Sequence, residues 1–219
     1  YVIDFGSETL KKYAKFPHVG EVLLQDNSEK IPELLQLIMD EMDSRKDLFS
    51  EYNGSYDYYI KNSGKTLPLI NFVINGFDVL IETFNKLDEL FNTLFRDCSK
   101  YGIIFTLSVS SVSALKSRQL QYFNNVIMLQ IPDDSYYRTT TNCRRDLIPS
   151  KEFGRGIAKI GIDEDSYCEF QTALIVPDDV AYQYIKDTAN KLVQYYKGYK
   201  AKQLAKIPDN VTSDDLTRY

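Results

Sequence analysis

The segment that most constrains this chain is Leu67 to Ile74, Leu-Pro-Leu-Ile-Asn-Phe-Val-Ile. A nearly unbroken apolar run has no polar side to turn toward water, so it fits a strand buried on both faces of a parallel sheet. Such a strand needs helices to cover it, and the rest of the chain provides them. From Ser28 to about Tyr52, apolar residues fall at Ile31, Leu34, Leu35, Ile38, Met42 and Phe49, which is helical spacing. Pro32 sits in the first turn, where its missing N–H costs little. Glu82 to Ser99 predicts a second amphipathic helix, with Phe84, Leu87, Leu90, Phe91, Leu94 and Cys98 on one stripe.

Further strands are expected at Tyr1–Phe5, at Glu21–Leu24, at Ile103–Leu107 after Gly102, and at Asn125–Ile131. A late strand pair, 156–162 and 168–176, would turn around Asp163-Glu164-Asp165. Asn53-Gly54-Ser55 breaks the first helix, and the Tyr-rich stretch from Tyr56 to Lys65 reads as a surface excursion. Pro177 opens a final helix to about Tyr199, with Asp178 and Asp179 at its positive end. The tail from Lys206 reads as a linker. Strands alternating with helices of these lengths predict an α/β fold with a mainly parallel sheet and helices on both faces.

Composition sets outer limits. The 219 residues, 43% apolar and 26% charged, suit one globular domain or one and a half. The net charge of −5 gives no support to DNA as the main partner. Cys98, Cys143 and Cys168 are scattered without metal or disulfide spacing, and the single His18 cannot anchor a zinc site. There is no apolar run of about eighteen residues to cross a membrane. The chain opens inside an apolar run, so the natural domain is expected to begin further upstream.

The order of motifs carries a resemblance. Ile3-Asp4-Phe5-Gly6-Ser7, then Leu10, then Phe16-Pro17-His18-Val19-Gly20 resembles the "DFG-x-x-L…LPHVG" stretch that follows the P-loop helix in FtsK/SpoIIIE-type P-loop ATPases. The helix ending in Met42, Arg45 and Phe49 looks like the family's "E-M-x-x-R…F" helix. Residues 70–80 look like its Walker B strand and turn, and Tyr101–Thr106 like its sensor strand. Phe153-Gly154-Arg155-Gly156 and Glu169–Leu174 look like its late GRG turn and following strand. The resemblance spans roughly residues 1–176. Its wording is most similar to a middle or late ATPase module of EssC/EccC-type type VII secretion motors. The tail at Ile207-Pro208 and Val211–Leu216 looks like their inter-module linker.

The resemblance implies a RecA-like, three-layer α/β/α P-loop NTPase module over residues 1–200. Its N-terminal strand and P-loop would lie outside this chain, and 201–219 would be a linker to a following module. It also implies sister modules in the same parent, a homo-oligomeric ring, small helical secreted substrates, and a cytoplasmic location in a membrane-anchored parent.

Phosphoryl transfer on this fold needs a Gly-rich loop with its Lys, a Walker B Asp near Mg²⁺, and a polar group that positions water. The chain contains no GxxxxGK[ST]. Gly64-Lys65-Thr66 imitates its end, but Tyr59 stands where the first Gly belongs and no helix follows. Where the family places the Walker B Asp this chain has Asn75, and Gly76 stands at the catalytic Glu position. Asp78 is a substitute carboxylate or, on the blander reading, a turn residue. Ser108 falls at the sensor strand's end and could contact a γ-phosphate, while Ser110 and Ser111 read as cap or turn residues.

Arg118, Arg138, Arg144, Arg145 and Arg155 are arginine-finger candidates, each more simply a surface residue. Tyr52, Tyr56, Tyr58 and Tyr59 read equally as a partner patch or as local packing. No residue is therefore assigned as catalytic or as a metal ligand. ATP and Mg²⁺ would be held through an upstream P-loop, and weak or absent hydrolysis is expected. The alternatives are an active FtsK-like DNA translocase and a pure protein-interaction module without nucleotide.

Overall fold

A computed structural model of the chain describes residues 1–144, 147–161, 163 and 166–204. Four short strands, β1 (Val2–Asp4), β2 (Val22–Leu24), β3 (Ile70–Asn75) and β4 (Ile103–Leu107), form a parallel sheet in the order β2-β1-β3-β4. The register sets Asp4 beside Leu24 on one side and beside Asn75 on the other, and Ile74 beside Leu107. The carboxyl ends of β1, β3 and β4 therefore lie together, the edge at which open α/β sheets bind ligands.

Pleating divides the apolar residues of the sheet between its faces. Ile3, Phe72, Ile74 and Ile103 enter the main core. There they meet Ile31, Leu34, Leu35 and Ile38 of α1 (Ile31–Leu48), and Phe77 and Leu80 of the helix after β3. The opposite face carries Val2, Val22, Leu24 and Val73, covered by Leu10 and Val19. Leu10 belongs to a 3-10 turn over Thr9–Tyr13, against which the last helix packs.

The expected long helix over 82–99 is divided. α3 (Phe77–Thr83) ends at Phe84, whose backbone leaves helical geometry at φ −123° and ψ 60°. α4 (Asp88–Asp97) then restarts after a 3-10 turn. The break places Phe77 of α3 edge-on to Phe91 of α4, centroids 5.4 Å apart.

The Tyr-rich excursion holds a helix, α2 (Tyr56–Asn62), because the Ser55 side chain accepts a hydrogen bond from the Tyr58 N–H and caps it. Tyr59 lies tilted against Phe49 with centroids 5.0 Å apart, and Phe49 stacks on Tyr101 at 6.3 Å. The cluster, which also takes in Tyr52 and Tyr56, ties α1 to the turn before β4, while Tyr58 lies outside it and is exposed. The Gly64-Lys65-Thr66 segment is a solvated loop with Gly64 at positive φ.

The later strands leave the parallel sheet. After α5 (Ser117–Leu120), β5 (Val126–Met128) pairs antiparallel with β6 (Arg155–Lys159), and β6 with β7 (Tyr167–Gln171). The expected pair is present as β6–β7, and the 125–131 strand joins it instead of extending the first sheet. β6 and β7 follow one another closely in sequence, while the connection from β5 to β6 carries a helix. α6 (Ser135–Thr141) covers one face through Tyr137, whose hydroxyl donates to the Leu129 carbonyl at 2.9 Å. α7 (Asp178–Tyr195) follows Pro177 as expected. Residues 201–204 fold back: the Ala201 N–H donates to the Pro17 carbonyl, and Leu204 is buried in the main core. The expected linker motifs at 207–216, Arg145, and the turn residues Glu164 and Asp165 lie outside the described residues.

Candidate functional site

Three strands deliver one polar side chain each to the carboxyl edge of the parallel sheet. Asp4 ends β1 and is fully buried. Asn75 ends β3, and Ser108 follows β4. The Asn75 Nδ2 donates to Asp4 Oδ1 at 2.7 Å, and the Ser108 hydroxyl donates to Asn75 Oδ1 at 2.6 Å. Backbone groups complete the chain of bonds. The Gly6 and Leu10 N–H groups donate to the two Asp4 oxygens at 3.2 and 2.9 Å, and the Gly76 N–H donates to Ser108 Oγ at 2.9 Å.

Burial pushes the Asp4 carboxyl up. The Leu10 N–H, the Asn75 amide and the Gly6 and Glu8 N–H groups outweigh it and hold the carboxyl below the usual carboxylate range. The amide at position 75 suits this place: it offers a donor toward a buried anion and an acceptor toward a hydroxyl. Asp4 is the residue that sequence reasoning passed over. Its signal was present, since an ionisable side chain inside an apolar strand must be fully paired to remain there.

Gly76 has a steric reason. Its φ is +75°, and a Cβ there would stand 2.9 Å from the Gly6 nitrogen and 3.0 Å from the Phe5 carbonyl carbon. Gly6 in turn approaches Asn75 so closely that a Cβ on it would meet Nδ2 at 2.6 Å. The backbones of the β1 and β3 exits are packed against one another, leaving no volume for a glutamate side chain at 76.

Asp78 lies in the first turn of α3. Its Oδ2 accepts from the Ser110 hydroxyl and from the Ser110 N–H at 3.2 Å, while Oδ1 is buried without a partner. Burial raises its pKa, and the two Ser110 bonds together with the Asp78 and Val79 N–H groups overcome that and leave it lowered. The structure therefore joins Asn75, Gly76 and Ser108 to Asp4, and holds Asp78 to the adjoining Ser110. Ser111 caps the 3-10 turn over Val112–Ala114.

Of the arginines, Arg118 pairs with Asp88 and Glu89, and Arg155 with Glu169. Arg138 and Arg144 line a pocket under α6 with Tyr137 and Cys143. His18 is exposed, edge-on to Phe16.

These side chains do not fit a magnesium ion as they stand. Mg²⁺ takes oxygen ligands in near-octahedral geometry, commonly one or two carboxylates with waters. Both Asp4 oxygens are occupied by N–H donors, and the Asn75 nitrogen has no lone pair to give. Among the described residues no group of three or more His, Cys, Asp or Glu side chains is placed to hold a metal.

Comparison with known proteins bears out the resemblance. Residues 1–96 match the model of the FtsK/SpoIIIE family. The ESX secretion system protein YukB of Bacillus subtilis is 35% identical over 136 residues, 62% of this chain and 9% of YukB. The type VII secretion system protein EssC of Staphylococcus aureus is 23% identical over 98% of this chain and 15% of EssC. The chain thus spans a small fraction of these relatives. Among solved structures, ATPases 2 and 3 of EssC from Geobacillus thermodenitrificans superpose with a TM-score of 0.85 at 22% identity, covering 99% of this chain and 42% of that one. ATPases 2 and 3 of Thermomonospora curvata EccC, in complex with a signal sequence peptide, give 0.78 at 21% identity over 99% of this chain and 40% of that one. Residues 1–96 thus resemble the FtsK/SpoIIIE family, and the fold is that of the EssC and EccC ATPase modules.

Proposed function

We propose that this FtsK/SpoIIIE-type chain is a degenerate module of a type VII protein secretion motor, acting through assembly and substrate docking with weak or no ATP hydrolysis of its own. The observation that carries the reading is the closed bond chain Asp4–Asn75–Ser108 beside the tight Gly6–Gly76 approach. Hydrolysis requires a carboxylate free to hold Mg²⁺ and a side chain that positions water. Here the first position carries an amide engaged on both sides, and the second has no room for a side chain.

A nucleotide would need a P-loop from upstream of residue 1 to hold its phosphates, since the side chains of this edge do not supply one. The partners of this reading are sister modules of the same parent, arranged in a ring, and small helical secreted substrates. The parent is membrane-anchored, with this module on its cytoplasmic side. The relatives' names and the signal-peptide complex of EccC support that direction. Residues 1–200 form the module, residues 201–204 pack back onto it through Leu204, and the chain beyond them leads to the next.

The test is Mg-ATP calorimetry and phosphate release on the parent protein, intact and with only its other nucleotide sites inactivated. Binding without turnover attributable to this module supports the proposal. Turnover of roughly one per second from this module defeats it in favour of an active motor. Absence of nucleotide binding leaves a module that works by protein contacts alone.

A further inference from the structure

Two segments far apart in sequence meet on one side of the molecule and share a composition unlike the rest. The first is the 3-10 turn Thr9–Tyr13 and the residues after it, with exposed Lys11, Lys12 and Lys15. The second is the end of α7 and its continuation, with exposed Lys191, Lys197, Lys200 and Lys202. They are held side by side. α7 packs on the turn, the Ala201 N–H donates to the Pro17 carbonyl, and the Tyr1 hydroxyl donates to the Lys202 carbonyl at 2.8 Å. From Thr188 to Leu204 there is no acidic residue. The neighbouring acids are Glu8, Glu21 and Asp187, with Glu41 tied to Arg45. Seven lysines therefore gather on a chain whose net charge is −5.

Aromatic side chains are interleaved with these charges. Tyr195 is 76% exposed, and Val193, Tyr196 and Tyr199 are about half exposed. Tyr195 stands edge-on to Tyr196 at 5.1 Å, and Tyr196 lies 6.2 Å from Tyr199, so the rings form a fixed group. Their exposure is not needed by the core, because Ala189 is the buried residue of α7.

We propose that this patch docks on an anionic lipid surface. Three features favour a bilayer over a nucleic acid or an acidic protein. The cations of the patch are lysines, with no arginine fork for bidentate recognition of phosphates or bases. A diffuse field of anionic headgroups asks for charge without fixed geometry, and each basic residue near such a surface strengthens binding roughly fivefold. Tyrosine with an exposed valine suits the interfacial zone, where the ring is buried and the hydroxyl stays wet.

The test is co-sedimentation of this chain with phosphatidylcholine vesicles, with and without phosphatidylglycerol, against a single-stranded oligonucleotide. Binding only to the anionic vesicles, weakening steeply with salt, is expected. The combined variant Lys11→Gln, Lys12→Gln, Lys197→Gln and Lys200→Gln should lower it by at least roughly a hundredfold, with an unchanged thermal unfolding profile because all four side chains are exposed. A second variant, Tyr195→Ser with Tyr199→Ser, should lower vesicle binding while leaving its salt slope intact. The proposal is overturned by no binding of the unmodified chain, by vesicle binding that survives the lysine changes, or by capture of the oligonucleotide with none of the vesicles.

Discussion

Placing an acid at position 75 is the sharpest test of how the site is built. In Asn75→Asp a carboxylate oxygen replaces the Nδ2 that now donates to Asp4 at 2.7 Å. Two unit charges at that distance repel by ~6 kcal/mol at an effective dielectric of about 20. Holding one proton instead costs at most ~4 kcal/mol near pH 7, from about 1.36 kcal/mol for each of the roughly three units above an ordinary carboxyl pKa. The pair will therefore take up a proton, and an O–H···O bond returns about 1 kcal/mol of that. The variant should lose ~2–4 kcal/mol near neutrality.

The sign of the pH dependence discriminates further. The variant pair has a folded pKa above its unfolded value, so its share of stability is full below about pH 4 and is lost as pH rises. Asp4 in the unaltered chain has a lowered folded pKa. Its contribution is present above about pH 4 and lost as pH falls through the folded value. The two stability curves must diverge as pH rises. Urea unfolding of both proteins between about pH 4 and pH 8 measures this. Equal stability near pH 8, or a gap that narrows with rising pH, would refute the reasoning.

Three other outcomes follow from the same structure. Gly76→Glu should destabilise by about 2–4 kcal/mol, from positive φ and the contact with Gly6, and should not create phosphate release; gain of hydrolysis in a folded variant would show that the β1 and β3 exits separate easily. Arg45 is 2% exposed and donates to the carbonyls of Tyr101, Gly102 and Pro68, so Arg45→Met should cost ~3 kcal/mol in chemical denaturation, whereas exposed Lys46→Met should be within about 0.5 kcal/mol of neutral. Burial, and then Asp97, push the Cys98 thiol up to about 12, and Cys143 is buried, so a thiol reagent should label only exposed Cys168 until the chain unfolds.

The elements that apolar periodicity governs were readable from the residues. The run before Asn75 became the central strand, and the stripe Ile31, Leu34, Leu35, Ile38 became the buried side of α1. Periodicity could not separate α3 from α4, because Phe84, Leu87 and Phe91 keep helical spacing across a break that only the backbone at Phe84 reveals. Nor could it tell which sheet the 125–131 strand would join, since a three-residue strand carries no mark of its partner's direction. At the site, Asn75 and Gly76 were found by what they lack. Their partner Asp4 was hidden because its meaning depends on a register that sets residues 4 and 75 side by side.

That register makes the altered positions depend on one another. With Asp4 ionised and buried, position 75 must present a donor, and an amide does so where a carboxylate cannot. With the amide engaged on both sides, Gly6 can lie against it, and the β1 exit then closes on residue 76 until only glycine fits. A change back at 75 alone meets the Asp4 charge, and a change back at 76 alone meets the Gly6 backbone. Recovery of a metal-binding carboxylate and a water-positioning side chain therefore requires the β1–β3 exits to move apart, which would break the bonds from Asn75 to Asp4 and from Ser108 to Asn75 together. On the proposed reading, the absence of a free carboxylate at this edge follows from the packing of the sheet.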